Sequence, residues 1–169
     1  HRPLRVLTVG AIGLRKGSPY VLETAREMKG AVEFRMVGKV GVKAAVEKDL
    51  RESVELVGVV PRSQVAGHFE WADVFLLPSL CEGSATVTYE ALAYGLPVLC
   101  TPNTGSVARD GVDGFIVPPR DVGAIVDLLE RLRADPGLRA ELAANARRRA
   151  EEFTLAAYGR RLLTALEIE

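Results

Sequence analysis

Short runs rich in β-branched residues alternate with segments of helical periodicity along most of the chain, and this alternation constrains the fold more than any other feature. Six runs are predicted to be strands, at 5–10, 32–38, 54–57, 73–77, 97–100 and 114–117. Helices are predicted between them at 17–29, 42–50, 61–71 and 84–94, and three more follow at 121–133, 137–152 and 154–168. Strands that alternate with helices form parallel βαβ units. The pattern therefore predicts a doubly wound, mostly parallel six-stranded α/β sheet of the Rossmann-like type, with extra C-terminal helices.

The length of 169 residues fits one domain. We expect a core over about 4–118 and a group of C-terminal helices over about 121–168. The first strand begins within a few residues of His1, which favours a part of a longer protein.

The composition argues against several classes of protein. Twenty-two basic residues balance 22 acidic ones, so the chain offers no overall attraction to nucleic acid. No apolar run is long enough to span a bilayer, so no transmembrane segment is expected. Cys81 and Cys100 are too few for a disulfide framework, which favours a reducing, cytoplasmic setting. With only two histidines, no metal site built from Cys and His is expected.

The loop after the first predicted strand lacks the two familiar phosphate-binding motifs. Its glycines stand at 10, 13 and 17, so the G-x-G-x-x-G pattern of dinucleotide sites is absent. Lys16 precedes Gly17, whereas a P-loop needs Gly-Lys-Ser/Thr. Arg15 and Lys16 nevertheless place two positive charges before a helix N-terminus, where backbone amides favour an anion. A solvated loop end is the alternative interpretation.

A stronger candidate follows the fourth predicted strand, in segment 82–90, EGSATVTYE. Ser84 is predicted to cap the next helix. The first-turn amides of Ala85, Thr86 and Val87 would then lack helical partners and point toward the carboxyl edge of the sheet. In doubly wound folds the ligand binds at that edge.

Two carboxylates flank these amides. Glu82 precedes the helix, and Glu90 lies inside it, about 7–8 Å along the axis from Ala85. The small side chains of Gly83 and Ser84 let a ligand approach the backbone closely. A surface glutamate beside a helix cap explains either carboxylate alone. The whole set favours a nucleotide sugar, with its diphosphate on the amides and a hydroxyl-rich group toward each carboxylate.

The same segment resembles a known family. The E-x7-E spacing within EGSATVTYEALAYGLPV is similar to the donor-binding signature of retaining GT-B glycosyltransferases of group 1. Lys16-Gly17, the A-D-V and P-S motifs within 72–79 and the R-D-G-V-D-G-F stretch at 109–115 resemble further motifs of that family. The resemblance covers about 4–168. It implies the second of two Rossmann-like domains, so an N-terminal acceptor domain is expected to be absent from this chain.

The resemblance also implies a role for each candidate residue. The diphosphate would be bound by the Lys16 side chain and by the backbone amides of Ala85, Thr86 and Val87. Glu90 would bind the ribose, and the backbone around Val60 and Arg62 would contact the base. The donor sugar would lie against Glu82, Gly83 and Ser84, with Glu82 orienting it as the catalytic residue.

Three positions depart from the family pattern. Gly10-Ala11 stands where the family often has Gly-Arg, which makes Arg15 the remaining candidate for a second diphosphate-binding cation. Ser84 replaces a common aromatic residue and changes one wall of the sugar pocket. The segment after the fifth strand is shortened to Thr104-Gly105-Ser106.

We therefore interpret the chain as the donor-binding half of a retaining glycosyltransferase, which moves a hexosyl unit from a nucleoside-diphosphate sugar to an acceptor hydroxyl. The alternatives are a nucleotide-sugar epimerase or phosphorylase of related fold, or a non-catalytic nucleotide-sugar-binding module. No cofactor and no metal are expected, because no Asp-x-Asp occurs to bridge a diphosphate through a metal ion. The acceptor is open between a sugar, a lipid-linked sugar and a small molecule. A cytoplasmic protein is expected, and the inner face of the membrane is a candidate location for the full-length protein.

Overall fold

The computed structural model describes residues 2–166. Within them the chain forms six strands: β1 (Leu4–Val9), β2 (Val32–Val37), β3 (Glu55–Gly58), β4 (Val74–Leu77), β5 (Val98–Cys100) and β6 (Gly114–Ile116). The seven helices of this part are α1 (Ser18–Glu27), α2 (Ala44–Arg51), α3 (Arg62–Trp71), α4 (Thr86–Ala93), α5 (Val122–Ala134), α6 (Pro136–Glu151) and α7 (Leu155–Ala165). A single 3₁₀ turn, Pro102–Thr104, separates β5 from the loop that leads to β6.

All the strand pairs are parallel, and the order across the sheet is β3-β2-β1-β4-β5-β6. This confirms the predicted doubly wound, six-stranded Rossmann-like sheet. The strand order reverses between β1 and β4, so their following loops diverge and leave a crevice at the carboxyl edge.

Two apolar layers cover the sheet, one on each face. Alternate residues of the strands point to opposite faces, so Leu76 of β4 packs with α1 and α5 while its neighbours Phe75 and Leu77 pack toward α3 and α4. The four residues of β4 are fully buried, which explains why its sequence is continuously apolar. The buried strands thus hold the loops at the carboxyl edge on a rigid base.

The boundaries of α4 and α7 differ from the sequence predictions. The predicted Ser84 cap is wrong, because α4 begins at Thr86 with Ala85 at the N-cap and no side-chain cap. Residues 82–85 bond instead to the 3₁₀ turn, which was not predicted. The last predicted helix ends at Ala165, and its predicted end at residue 168 lies outside the described residues.

The helices after β6 pack unequally. α5 contacts α1, and α6 contacts α4, whereas α7 buries none of its residues. Among residues 2–166, no helix combines the length and the apolar character that crossing a bilayer requires.

Candidate functional site

The loops after β1 and β4 meet at the switch point through direct backbone contact. A Cβ on Gly17 would lie 2.0 Å from the Pro78 carbonyl oxygen, and Gly17 has a positive φ of 75°. Only glycine fits both the conformation and the space. The Leu80 amide also donates to the Arg15 carbonyl at 2.8 Å. These contacts bring the cations of the first loop to the glutamate of the second.

The two cations of the first loop both contact Glu82. The guanidinium of Arg15 donates to Oε2 of Glu82 at 2.9 Å, and Nζ of Lys16 lies 2.9 Å from Oε1. The Glu82 side chain is 9% exposed and that of Lys16 is 11% exposed, while that of Arg15 is 60% exposed. A carboxylate this buried needs nearby positive charge. The structure thus brings the candidate site residues Arg15, Lys16 and Glu82 together. Arg15 contacts the Glu82 carboxylate, whereas the sequence made it a candidate ligand of the diphosphate.

The loop from Glu82 to Ala85 is held by the 3₁₀ turn after β5. The Glu82 amide donates to the Asn103 carbonyl at 2.9 Å, and the Ala85 amide donates to the Thr104 carbonyl at 3.2 Å. A Cβ on Gly105 would lie 2.3 Å from the Gly83 carbonyl oxygen. The prediction that the Ala85 amide is free for a diphosphate is therefore wrong, because Thr104 already uses it.

The amides of Thr86 and Val87 begin α4 and have no helical acceptor. They form no other hydrogen bond among the described residues. Both remain able to donate to an anion at the carboxyl edge, as the sequence predicts.

The residues predicted to bind the base and the ribose line one cleft. Val60, Arg62 and Glu90 face a volume of about 450 Å³ between the end of β1, α3 and α4. Glu90 is exposed and forms no ion pair within residues 2–166. A larger cleft of about 620 Å³ beside Asp73 and Arg139 lies at the amino edge of the sheet. The carboxyl edge is where ligands bind in this type of fold, so the smaller cleft is the better candidate.

Tyr89 lies beside the predicted sugar-binding loop, and its place there does not follow from the sequence motifs. Its hydroxyl is 3.4 Å from Oγ of Ser84, and its ring packs edge-on against Phe153 with centroids 5.4 Å apart. Ser84 itself is exposed at the loop, as is Gly83. The available signal was Ser84 itself. It stands where the family commonly has an aromatic residue, and this difference indicated that the wall of the sugar pocket is built differently at that position.

Neither Cys100 nor a cluster of metal-ligating side chains offers an alternative site in the part of the chain that the structure describes. Burial raises the pKa of the Cys100 thiol to about 11, despite the opposing hydrogen bond with Ser106. Cys100 therefore stays protonated at neutral pH. Across residues 2–166, no three or more His, Cys, Asp or Glu side chains cluster in a way that could hold a metal ion.

The family is decided by comparison with known proteins. Residues 3–135 match the family described as "Glycosyl transferases group 1". The chain belongs to the group 1 glycosyltransferases. Similar proteins include the amylovoran biosynthesis glycosyltransferase AmsK of Erwinia amylovora, which is 33% identical over 148 residues, covering 78% of this chain and 36% of that protein. The alpha-D-kanosaminyltransferase of Streptomyces kanamyceticus is 30% identical, covering 86% of this chain and 40% of that protein.

Two solved structures share the fold. Anabaena Alr3699/HepE in complex with UDP-glucose superimposes with a TM-score of 0.85 at 17% identity, over 98% of this chain and 49% of that one. The C-terminal domain of the group 1 family protein LpcC from Francisella tularensis gives a TM-score of 0.79 at 20% identity, over 88% of this chain and 84% of that one. The chain thus spans less than half the length of AmsK, the kanosaminyltransferase and HepE.

Proposed function

We propose that this chain is the donor-binding half of a glycosyltransferase that moves a hexosyl unit from a nucleoside-diphosphate sugar to an acceptor hydroxyl with retention. One observation carries the proposal. At the carboxyl edge, the buried carboxylate of Glu82 pairs with Lys16, and along the chain it is followed by the free amides of Thr86 and Val87 and then by Glu90, which lines the cleft. This order suits a sugar, a diphosphate and a nucleoside in series.

The chemistry follows from where charge develops. The bond between the sugar and the diphosphate breaks during transfer, and the leaving diphosphate gains negative charge. Lys16 and the amides of Thr86 and Val87 are held in place before the reaction, so they stabilise this charge without reorganising. Glu82 orients the sugar and stabilises positive charge that develops on its ring. Family membership and the UDP-glucose complex of a protein of the same fold support this proposal.

The proposal also implies a partner domain and a cellular location for the parent protein. An N-terminal domain of the parent protein would hold the acceptor, and the parent would act in the cytoplasm at the inner face of the membrane. Neither a metal ion nor a cofactor is needed, because Lys16 and the helix amides supply the positive charge that a bridging metal would otherwise bring.

The proposal is tested by binding measurements on this chain. Calorimetric titration with UDP, GDP, UDP-glucose, UDP-galactose, UDP-N-acetylglucosamine and GDP-mannose, each with and without EDTA, identifies the preferred nucleotide and its sugar. We expect specific binding that EDTA leaves unchanged. Failure of every member of this panel to bind would contradict the proposal.

The two glutamates separate the ribose role from the sugar role. Glu90→Gln should weaken the nucleotide and the nucleotide sugar alike, because both contain ribose. Glu82→Gln should weaken the nucleotide sugar by about five-fold or more, the scale of a hydrogen bond, and leave the bare nucleotide nearly unchanged. Equal losses for both ligands in Glu82→Gln would refute the assigned sugar role.

A further inference from the structure

The two cations beside Glu82 contact it in different ways. The Arg15 guanidinium makes an aligned hydrogen bond to Oε2 at 2.9 Å. The Lys16 ammonium lies 2.9 Å from Oε1 and forms an ion pair with it. Lys16 therefore attracts the carboxylate by charge, while Arg15 also fixes its direction.

The backbone of Arg15 is part of the rigid base of the site, even though its side chain is largely exposed. The Leu80 amide binds its carbonyl, and Gly17, two residues later, lies against the backbone of Pro78. Glu82 is anchored independently, through its amide to Asn103. Both ends of the Arg15–Glu82 contact are thus fixed by backbone hydrogen bonds on different loops.

This division of contacts leaves Lys16 available to another anion. Its ammonium carries three protons, and the Glu82 carboxylate is the one anion paired with it among the described residues, so two protons remain for another acceptor. A diphosphate on the amides of Thr86 and Val87 would take those protons without displacing Glu82 from Arg15.

We propose that Arg15 is a positioning residue, which holds the Glu82 carboxylate toward the donor sugar and does not bind the diphosphate. The inference rests on the function proposed above and refines it. It replaces the expectation from the sequence that Arg15 is a second diphosphate-binding cation.

The test is a double-mutant cycle on this chain, read by calorimetry with the bare nucleotide and with the nucleotide sugar that binds best in the panel. Arg15→Gln should leave the nucleotide affinity within about two-fold and weaken the nucleotide sugar by about five-fold, the upper range for a partly exposed charge pair. The double variant with Glu82→Gln should be no weaker than Glu82→Gln alone, because both changes remove one interaction. Arg15→Lys should restore part of the loss.

Arg148→Gln is the matched control, since Arg148 is an exposed arginine of α6 whose one side-chain hydrogen bond within residues 2–166 is to Asn145. Thermal unfolding of each variant verifies that it folds. If Arg15→Gln weakens the bare nucleotide as much as Lys16→Ala does, Arg15 is a diphosphate ligand and the inference fails. The inference also fails if the losses caused by Arg15→Gln and Glu82→Gln add in the double variant, or if Arg15→Gln changes the affinity for neither ligand. If the unaltered chain binds nothing in the panel, the proposed function fails first.

Discussion

Lys16 illustrates how much of the site depends on the placement of one side chain. Its aliphatic stem runs over Gly10, where a Cβ would lie 2.6 Å from Cε of Lys16. The ammonium is then held at the end of the crevice beside Glu82. A side chain at position 10 would push it away from that place.

Removal of the Lys16 ammonium should weaken nucleoside-diphosphate binding. We expect Lys16→Ala to cost about 1.5–3 kcal/mol of binding free energy, the scale of a hydrogen bond to a charged group. Isothermal titration with the preferred nucleotide measures this. Lys29→Ala, which alters an exposed lysine after α1, is the control. Unchanged affinity in a folded Lys16→Ala variant would exclude Lys16 from the site.

Arg120 is the residue whose backbone is most clearly strained. Its φ of 68° is the one positive value among the described residues other than glycine. Arg120→Gly should raise the free energy of unfolding by about 0.5–1 kcal/mol, because glycine adopts this conformation without the Cβ penalty. Chemical denaturation measures the gain. Arg120→Ala, which also removes the charge but keeps the Cβ, should show none of it, and an equal gain there would refute the strain.

At the scale of elements, Asp73 links β1 to β4. Its carboxylate accepts two hydrogen bonds of 2.7 Å from the Arg2 guanidinium and one of 2.9 Å from the Arg5 amide. Burial by itself would raise the pKa of Asp73, but the hydrogen bonds from Arg2 and from the Arg5 amide outweigh it and lower the pKa below its ordinary value. The folded state therefore favours the ionised form.

The stability contributed by Asp73 should depend on pH in the acid range. A lowered pKa in the folded state stabilises the protein fully above the pKa of the unfolded chain, about 3.9, and this contribution is lost as the pH falls through the lower folded value. We expect Asp73→Asn to lower the free energy of unfolding by about 1 kcal/mol at pH 7, since Arg2 is half exposed. Urea unfolding at pH 7, 5 and 3 should show the difference shrinking toward pH 3. Asp127→Asn on the exposed side of α5 is the control, and a difference that does not change with pH would contradict the assignment.

The loops show where prediction from the sequence reached its limit. Helical periodicity placed α4 correctly to within two residues, since the pattern is local. Its capping could not be predicted, because the partner of the Ala85 amide is the carbonyl of Thr104 in a separate loop. The contact between the rings of Tyr89 and Phe153 could not be predicted for the same reason. The two rings come from distant segments and meet only because α6 packs on α4.

At the scale of the whole molecule, the proposed function separates donor binding from sugar transfer. The cleft at Val60, Arg62 and Glu90 is lined by the end of β1, by α3 and by α4. Transfer to an acceptor needs a positioned hydroxyl and the exclusion of water, and under our proposal the acceptor domain would supply both.

We therefore expect this chain to bind a donor without transferring its sugar. Donor turnover should be compared for this chain and for the full-length protein, each supplied with the same acceptor pool. Any residual activity of the chain should be slow hydrolysis of the donor. Acceptor-dependent transfer by this chain at a rate near that of the full-length protein would show that residues 2–166 already contain the whole catalytic site.

Two things followed from the sequence alone: the order of strands and helices, and the motifs that point to a family. Both rest on local information, because the spacing of apolar residues and glycines reflects the geometry of each element by itself. The resulting fold class and family were confirmed. The roles of Lys16, Glu82 and Glu90 remain predictions.

Only the tertiary structure decided which groups meet. Arg15 and Glu82 are 67 residues apart in the chain, and they touch because β1 pairs with β4 and Gly17 packs against Pro78. The same strand pairing places the Arg15 guanidinium on the Glu82 carboxylate. The 3₁₀ turn supplies the Thr104 carbonyl that accepts from the Ala85 amide, so this amide is not free in the candidate site. Periodicity carries no information about such contacts, because a side chain's partner depends on where separate loops converge in space.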